Sequence, residues 1–113
     1  MKKTYLKEAT ILSVFDFQNN EKISLGTFLF GFVIKDETNR FEPSFRVITS
    51  KIQSQNNLNF ITKSESCYVI SEEPEELDIT FVEFVVMRHR LYSPVEILEL
   101  RQALQLNDDR TMH

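Results

Sequence analysis

Between Thr27 and Asp36 the chain reads TFLFGFVIKD, and this stretch restricts the fold more than any other. Phe28, Phe30, Phe32 and Ile34 fall on one face of a two-residue period, with Leu29, Gly31 and Val33 on the other. Three alternating phenylalanines make a poor solvent face. Leu29 and Val33 call for burial of the second face too, so the pattern predicts a central strand rather than an edge. Gly31 has no side chain to pack; inside a strand it marks a bulge, a sharp bend or another group passing close by.

Asp36-Glu37-Thr38-Asn39-Arg40 then supplies turn chemistry, because Asp and Asn side chains bond the local backbone and Asn tolerates positive φ. An ion pair between Asp36 and Arg40 is expected across this turn. Pro43 cannot donate to a ladder, so the return strand should begin near Phe45, with Phe45, Val47 and Thr49 alternating with Arg46, Ile48 and Ser50. The whole of residues 26–52 therefore reads as an antiparallel hairpin.

The pattern Gly31, Val33, Asp36, Thr38, Arg40, Phe41, Pro43, Phe45, Val47, Thr49, Ser50 resembles the core of small uncharacterised bacterial proteins, and it is similar in size and style to proteins carried on mobile gene cassettes. The shared core is G-x-V-x-x-D-x-T-x-R-F-x-P. This chain departs from it after Pro43, where Ser44-Phe45 stands in place of Gly-Asp. The resemblance covers about a quarter of the chain. It implies a shared fold and carries no activity.

Around the hairpin, Ala9 to Phe17 alternates as a strand, with Ile11, Phe15 and Phe17 on one side and Leu12 and Val14 on the other. Residues 1–6 are expected to fray. Gln18 to Glu21 is a polar turn, and Gln53 to Asn57 a polar loop. Leu58–Thr62 and Cys67–Ile70 flank a four-residue connection and read as a second hairpin. Five strands within residues 9–71 and no intervening helix predict an antiparallel, curved sheet or a small, partly open barrel.

Two helices are expected to follow, giving a single α+β domain over residues 1–113. Thr80 to Leu91 has strand-like composition but helix-like ends: Thr80 and Glu83 have capping-box spacing, and Arg88, His89 and Arg90 suit the last turn. Ser93-Pro94-Val95-Glu96 is a more specific start signal for a helix over 94–106, before a solvated tail. In that helix Ile97, Leu100 and Leu104 share one face through Leu106, while Val95, Leu98 and Ala103 widen the apolar share. Such a helix is expected to meet the sheet on one side and a second copy of the chain on the other, as a homodimer.

The composition is that of an ordinary globular protein, 42% hydrophobic and 27% charged, with ten Phe and no Trp. A net charge of −4 argues against nucleic-acid binding. The chain lacks an apolar run of bilayer length and a signal-peptide pattern, so a cytoplasmic location without membrane partners is expected. Cys67 stands alone and reads as a small buried strand residue.

Catalytic and metal motifs are missing from the sequence: it has no Gly-rich phosphate loop, no paired Cys/His spacing and no helical His-x-x-x-His. No cofactor is expected. Asp108, Asp109 and His113 could chelate a metal only as part of a tail. The surface feature with functional potential is the run Glu72, Glu73, Glu75, Glu76 and Asp78, a concentrated negative field able to steer a basic protein partner. The chain is thus expected to be a non-catalytic protein-binding module, antagonist- or immunity-like. The alternative is a small-molecule-binding or enzymatic domain with an apolar pocket lined by Phe28, Phe30 and Phe32.

Overall fold

The computed structural model describes residues 1–111, with side chains through Gln105. Its elements run β1 (Lys3–Gln18), β2 (Glu21–Asp36), β3 (Arg46–Ile48), β4 (Ile52–Asn56), β5 (Asn59–Thr62), β6 (Cys67–Ile70), β7 (Glu75–Thr80), α1 (Phe81–Arg90) and α2 (Pro94–Thr111). β1 and β2 form a long antiparallel ribbon in which Gln18 pairs with Glu21. Asn19 and Asn20, at φ 53° and 67°, make the two-residue turn between them. β3 returns antiparallel on the far side of β2, as the hairpin reading requires, pairing Gly31 with Val47.

The architecture is α+β with two C-terminal helices, but the sheet has seven strands and is mixed and open rather than five-stranded and antiparallel. Its order is β3-β2-β1-β6-β5-β4, with β7 also on β1. β6 lies parallel to Lys3–Leu6, and β7 lies parallel to Thr10–Phe15. Parallel neighbours need a long connection, which need not be helical. Here the strands between β1 and β6 supply it, so the lack of an intervening helix did not make the sheet antiparallel.

Three segments read as irregular are strands. The amino-terminal residues join β1, where Thr4 and Leu6 are fully buried. Residues 53–56 belong to β4, an edge strand whose polar side chains face water. The second half of the acidic run forms β7, with Ile79 buried and Leu77 half-buried between exposed Glu76 and Asp78.

The two faces of the sheet carry separate cores. Leu6, Ala9, Leu29, Val33, Val47, Phe60, Tyr68 and Ile70 pack on one face of the sheet. Leu12, Val14, Phe30 and Ile79 pack on the other face against Phe84 and Met87 of α1 and Ile97 of α2. β2 contributes to both, as expected of a central strand. Gly31 leaves room for Leu6: a Cβ there would stand 2.9 Å from Leu6 Cβ. Ile34 falls beyond the helices' cover and is exposed. Cys67 is buried.

Both helix starts are built as their sequences indicate. Thr80 Oγ1 accepts from the Glu83 N–H at 3.1 Å, and Glu83 Oε1 accepts from the Thr80 N–H at 2.9 Å. Ser93 and Glu96 repeat the exchange at α2. Leu91 ends α1 in the left-handed conformation, after a last turn holding Arg88, His89 and Arg90. Arg101 then ties α2 to α1 through Glu83 at 2.7 and 2.8 Å and to the Asp78 carbonyl at 3.1 Å. Burial alone would raise the Glu83 pKa; the Arg101 guanidinium and the cap bonds at Thr80 outweigh it and lower it. α2 runs to Thr111, past the expected end at 106. The side chains of Asp108, Asp109 and His113 lie outside those described. No helix among the described residues is long and apolar enough to cross a membrane.

Candidate functional site

Halfway along β1 the strand changes neighbours, from β6 to β7. The pairing with β2 slips between Lys7 and Thr10, and Glu8 sits there with φ 51°. A non-glycine residue in this conformation costs about 1 kcal/mol or more. The result is a bulge. Opposite it, Ser71 to Pro74 leaves the ladder on the way from β6 to β7, so both strands give way at one level. The gap opens onto the face covered by the helices.

A cleft of about 570 Å³ occupies this gap. Its floor is Ala9, Thr10, Phe30 and Phe32; Ser93, Pro94 and Val95 at the start of α2 form one wall, and Glu8, Glu72, Glu73 and Glu75 the other. That volume suits a small ligand or a protruding side chain. Strand alternation decides which acids arrive. Glu75 pairs with Thr10 and shares its face, whereas Glu76 and Asp78 pair with Ile11 and Ser13 and point to the opposite one. Asp78 lines a separate shallow depression with Ser13, Phe15 and Lys22. Of the five acids singled out by sequence, the cleft therefore gathers Glu72, Glu73 and Glu75, and Glu76 and Asp78 stand apart.

Glu8 and Thr10 were missed. The signal for them is a shift of parity: the inward positions are even at Thr4 and Leu6 and odd at Ala9 and Ile11, which requires one extra residue between them.

The aromatic floor is partly used up in packing. Phe28 lies against Phe84 with ring centroids 4.4 Å apart, and Phe30 is 1% exposed. Only Phe30 and Phe32 of the three phenylalanines reach the cleft, so α1 fills much of the pocket expected beneath them. The Arg46 guanidinium lies 5.7 Å from the Phe32 ring centre and pairs with Glu96. Glu96 also accepts from the Ser93 N–H at 2.9 Å. This bond, followed by Arg46, lowers the Glu96 pKa. The positive end of α2 and Arg46 are thus already matched by one carboxylate.

The cleft acids are not matched. Among the described residues the ion pairs are Arg46–Glu96 and Arg101–Glu83, and neither involves Glu8, Glu72, Glu73 or Glu75. Nor does any group of three His, Cys, Asp or Glu among those residues converge as metal ligands would. Four carboxylates around an aromatic floor give the cleft a negative field.

The turn after β2 also differs from the expected ion pair. Asp36 binds the backbone rather than the Arg40 guanidinium: Oδ2 accepts the N–H groups of Arg40 and Phe41 at 2.8 and 2.9 Å. Oδ1 accepts from Thr4 Oγ1 at 2.7 Å and from Thr38 Oγ1 and N at 2.6 and 3.0 Å. Burial would raise the Asp36 pKa, but these donors outweigh it and hold the carboxyl well below its ordinary range.

The chain matches no protein-family model, and comparisons with curated proteins and with solved structures find no similar protein.

Proposed function

We propose that this protein is a non-catalytic binding module that captures a basic protein partner, in the manner of an antagonist or immunity protein, through its acidic cleft. The observation that carries this reading is the set of four carboxylates, from Glu8, Glu72, Glu73 and Glu75, placed around the Phe30–Phe32 floor without an ion-pair partner among the described residues. Such a field raises the encounter rate with a positive partner, and the aromatic floor offers it a desolvated seat. Glu76 and Asp78 belong to the approach rather than the seat, since they sit on the opposite face of β7. Self-association through α2 is part of the proposal. Val95, Leu98 and Leu104 stand exposed along it, and Ile97 faces the core.

The test is capture from the source cells with the wild-type protein and with a Glu8→Gln, Glu72→Gln, Glu73→Gln, Glu75→Gln variant, quantified by mass spectrometry. A basic protein retained by the first and depleted at least tenfold by the second is expected. Its association with the purified wild type should be about tenfold faster at low salt, with the two proteins converging near 0.5 M salt. Equal capture and equal rates would remove the cleft from the function.

A further inference from the structure

We infer that the cleft is a socket for one arginine side chain of the partner, with the Thr10 hydroxyl as its inner polar contact. The inference rests on the binding-module reading and adds the chemistry of the anchor. Thr10 is 6% exposed and lines the cleft floor. Among the described residues its hydroxyl makes no hydrogen bond, yet no fully enclosed side-chain oxygen or nitrogen lacks a partner. The oxygen therefore keeps its remaining exposure, and the opening beside it is the cleft. A hydroxyl on a residue this buried, open to the cleft and without a protein partner, is an acceptor that a donor entering the cleft can use.

Arginine fits the remaining features better than lysine. Its planar, weakly hydrated cation gives up water more readily against aromatic rings and presents several N–H donors in fixed directions. One set can reach Thr10 while another meets a rim carboxylate. Phe32 already accepts a guanidinium, that of Arg46, 5.7 Å from its centre. The strained φ of Glu8 points the same way, since it persists in a bulge that sets this carboxylate at the rim. The opposing positive groups, Arg46 and the start of α2, are held by Glu96.

The test titrates N-acetyl-argininamide into isotopically labelled full-length protein, following the Thr10 methyl and the Phe30 and Phe32 ring signals. N-acetyl-lysinamide and the neutral citrulline analogue serve as comparisons. The arginine compound should shift these signals saturably in the millimolar range, the lysine compound should bind at least threefold more weakly, and citrulline should not bind. Thr10→Val should weaken the arginine compound about fivefold, with Thr10→Ser restoring it; the four-Gln variant should lose at least tenfold. Shifts equal for arginine and citrulline, shifts centred on Glu76 and Asp78, or an unchanged Thr10→Val affinity would overturn the socket. If the four-Gln variant still loses a captured basic protein while the arginine compound fails at Thr10, the socket falls and the binding module stands. If neither responds to the four substitutions, both fall.

Discussion

Replacing Asp36 by Asn probes the turn that ends β2 with almost no change of shape. The carboxylate accepts five hydrogen bonds, three at Oδ1 and two at Oδ2. The amide does best with its oxygen toward the Arg40 and Phe41 N–H groups. Its NH₂ then faces Thr4 and Thr38, whose hydroxyls can turn to accept; the Thr38 N–H cannot and loses its partner. The bonds that survive fall from charge-assisted to neutral strength, and Thr4, fully buried, depends on this contact. Discounted for the partly exposed turn, the loss is about 2–3 kcal/mol at pH 7, or roughly 10 °C in Tm for a domain of this size. Urea unfolding followed by circular dichroism measures it. The pH dependence gives a second check. Because the folded carboxyl titrates below its unfolded value of about 3.9, its contribution is complete above that pH and is lost as the pH falls toward the folded value. The stability gap between wild type and Asp36→Asn should therefore be constant from pH 7 to 5 and narrow from pH 4 to 2. Other carboxylates are common to both proteins and cancel. A gap below 0.5 kcal/mol at pH 7, or one that widens in acid, would refute the reasoning.

Gly31→Ala places a methyl 2.9 Å from Leu6 Cβ, close to the backbone of β1, so it should destabilise by about 1–3 kcal/mol in the same urea assay. Glu8→Gly relieves the left-handed strain and should raise the urea midpoint by about 1 kcal/mol equivalent while weakening the arginine compound in the titration. Arg101→Met removes the contacts to Glu83 and the Asp78 carbonyl; a loss of about 1–2 kcal/mol and faster hydrogen exchange in α2 are expected. For self-association, light scattering should show a dimer for the wild type and a monomer after Leu98→Glu with Val95→Glu.

What could be read from the chain was local. The Phe28–Val33 alternation, the paired cap residues Thr80/Glu83 and Ser93/Glu96, and the burial of Cys67 each follow from neighbours within a few residues, and each is found in the structure. β7 escaped because its signal, Leu77 and Ile79 alternating with Glu76 and Asp78, is carried by two apolar residues within a run of acids. Its parallel partner lies some 65 positions away, and nothing near β7 announces that pairing. The cleft was half readable. Three of its four acids came from one expectation and its two phenylalanines from the other, and only the β1 bulge, which adds Glu8, shows that they share a cleft. Asp36 and Arg40 were correctly placed in one turn, but charge suggested a pair where five shorter-range donors take the carboxylate.

A strand that forms the back of both cores also ties them into one cooperative unit. Leu29 and Val33 belong to one cluster and Phe30 to the other, so the central residues of β2 cannot leave without disrupting both. Amide protons at 29–33 should consequently exchange only through unfolding of the entire molecule, whereas those of edge strand β4 should open locally. A ligand seated against Phe30 would then slow exchange on the far side of the sheet as well, at amides it never touches.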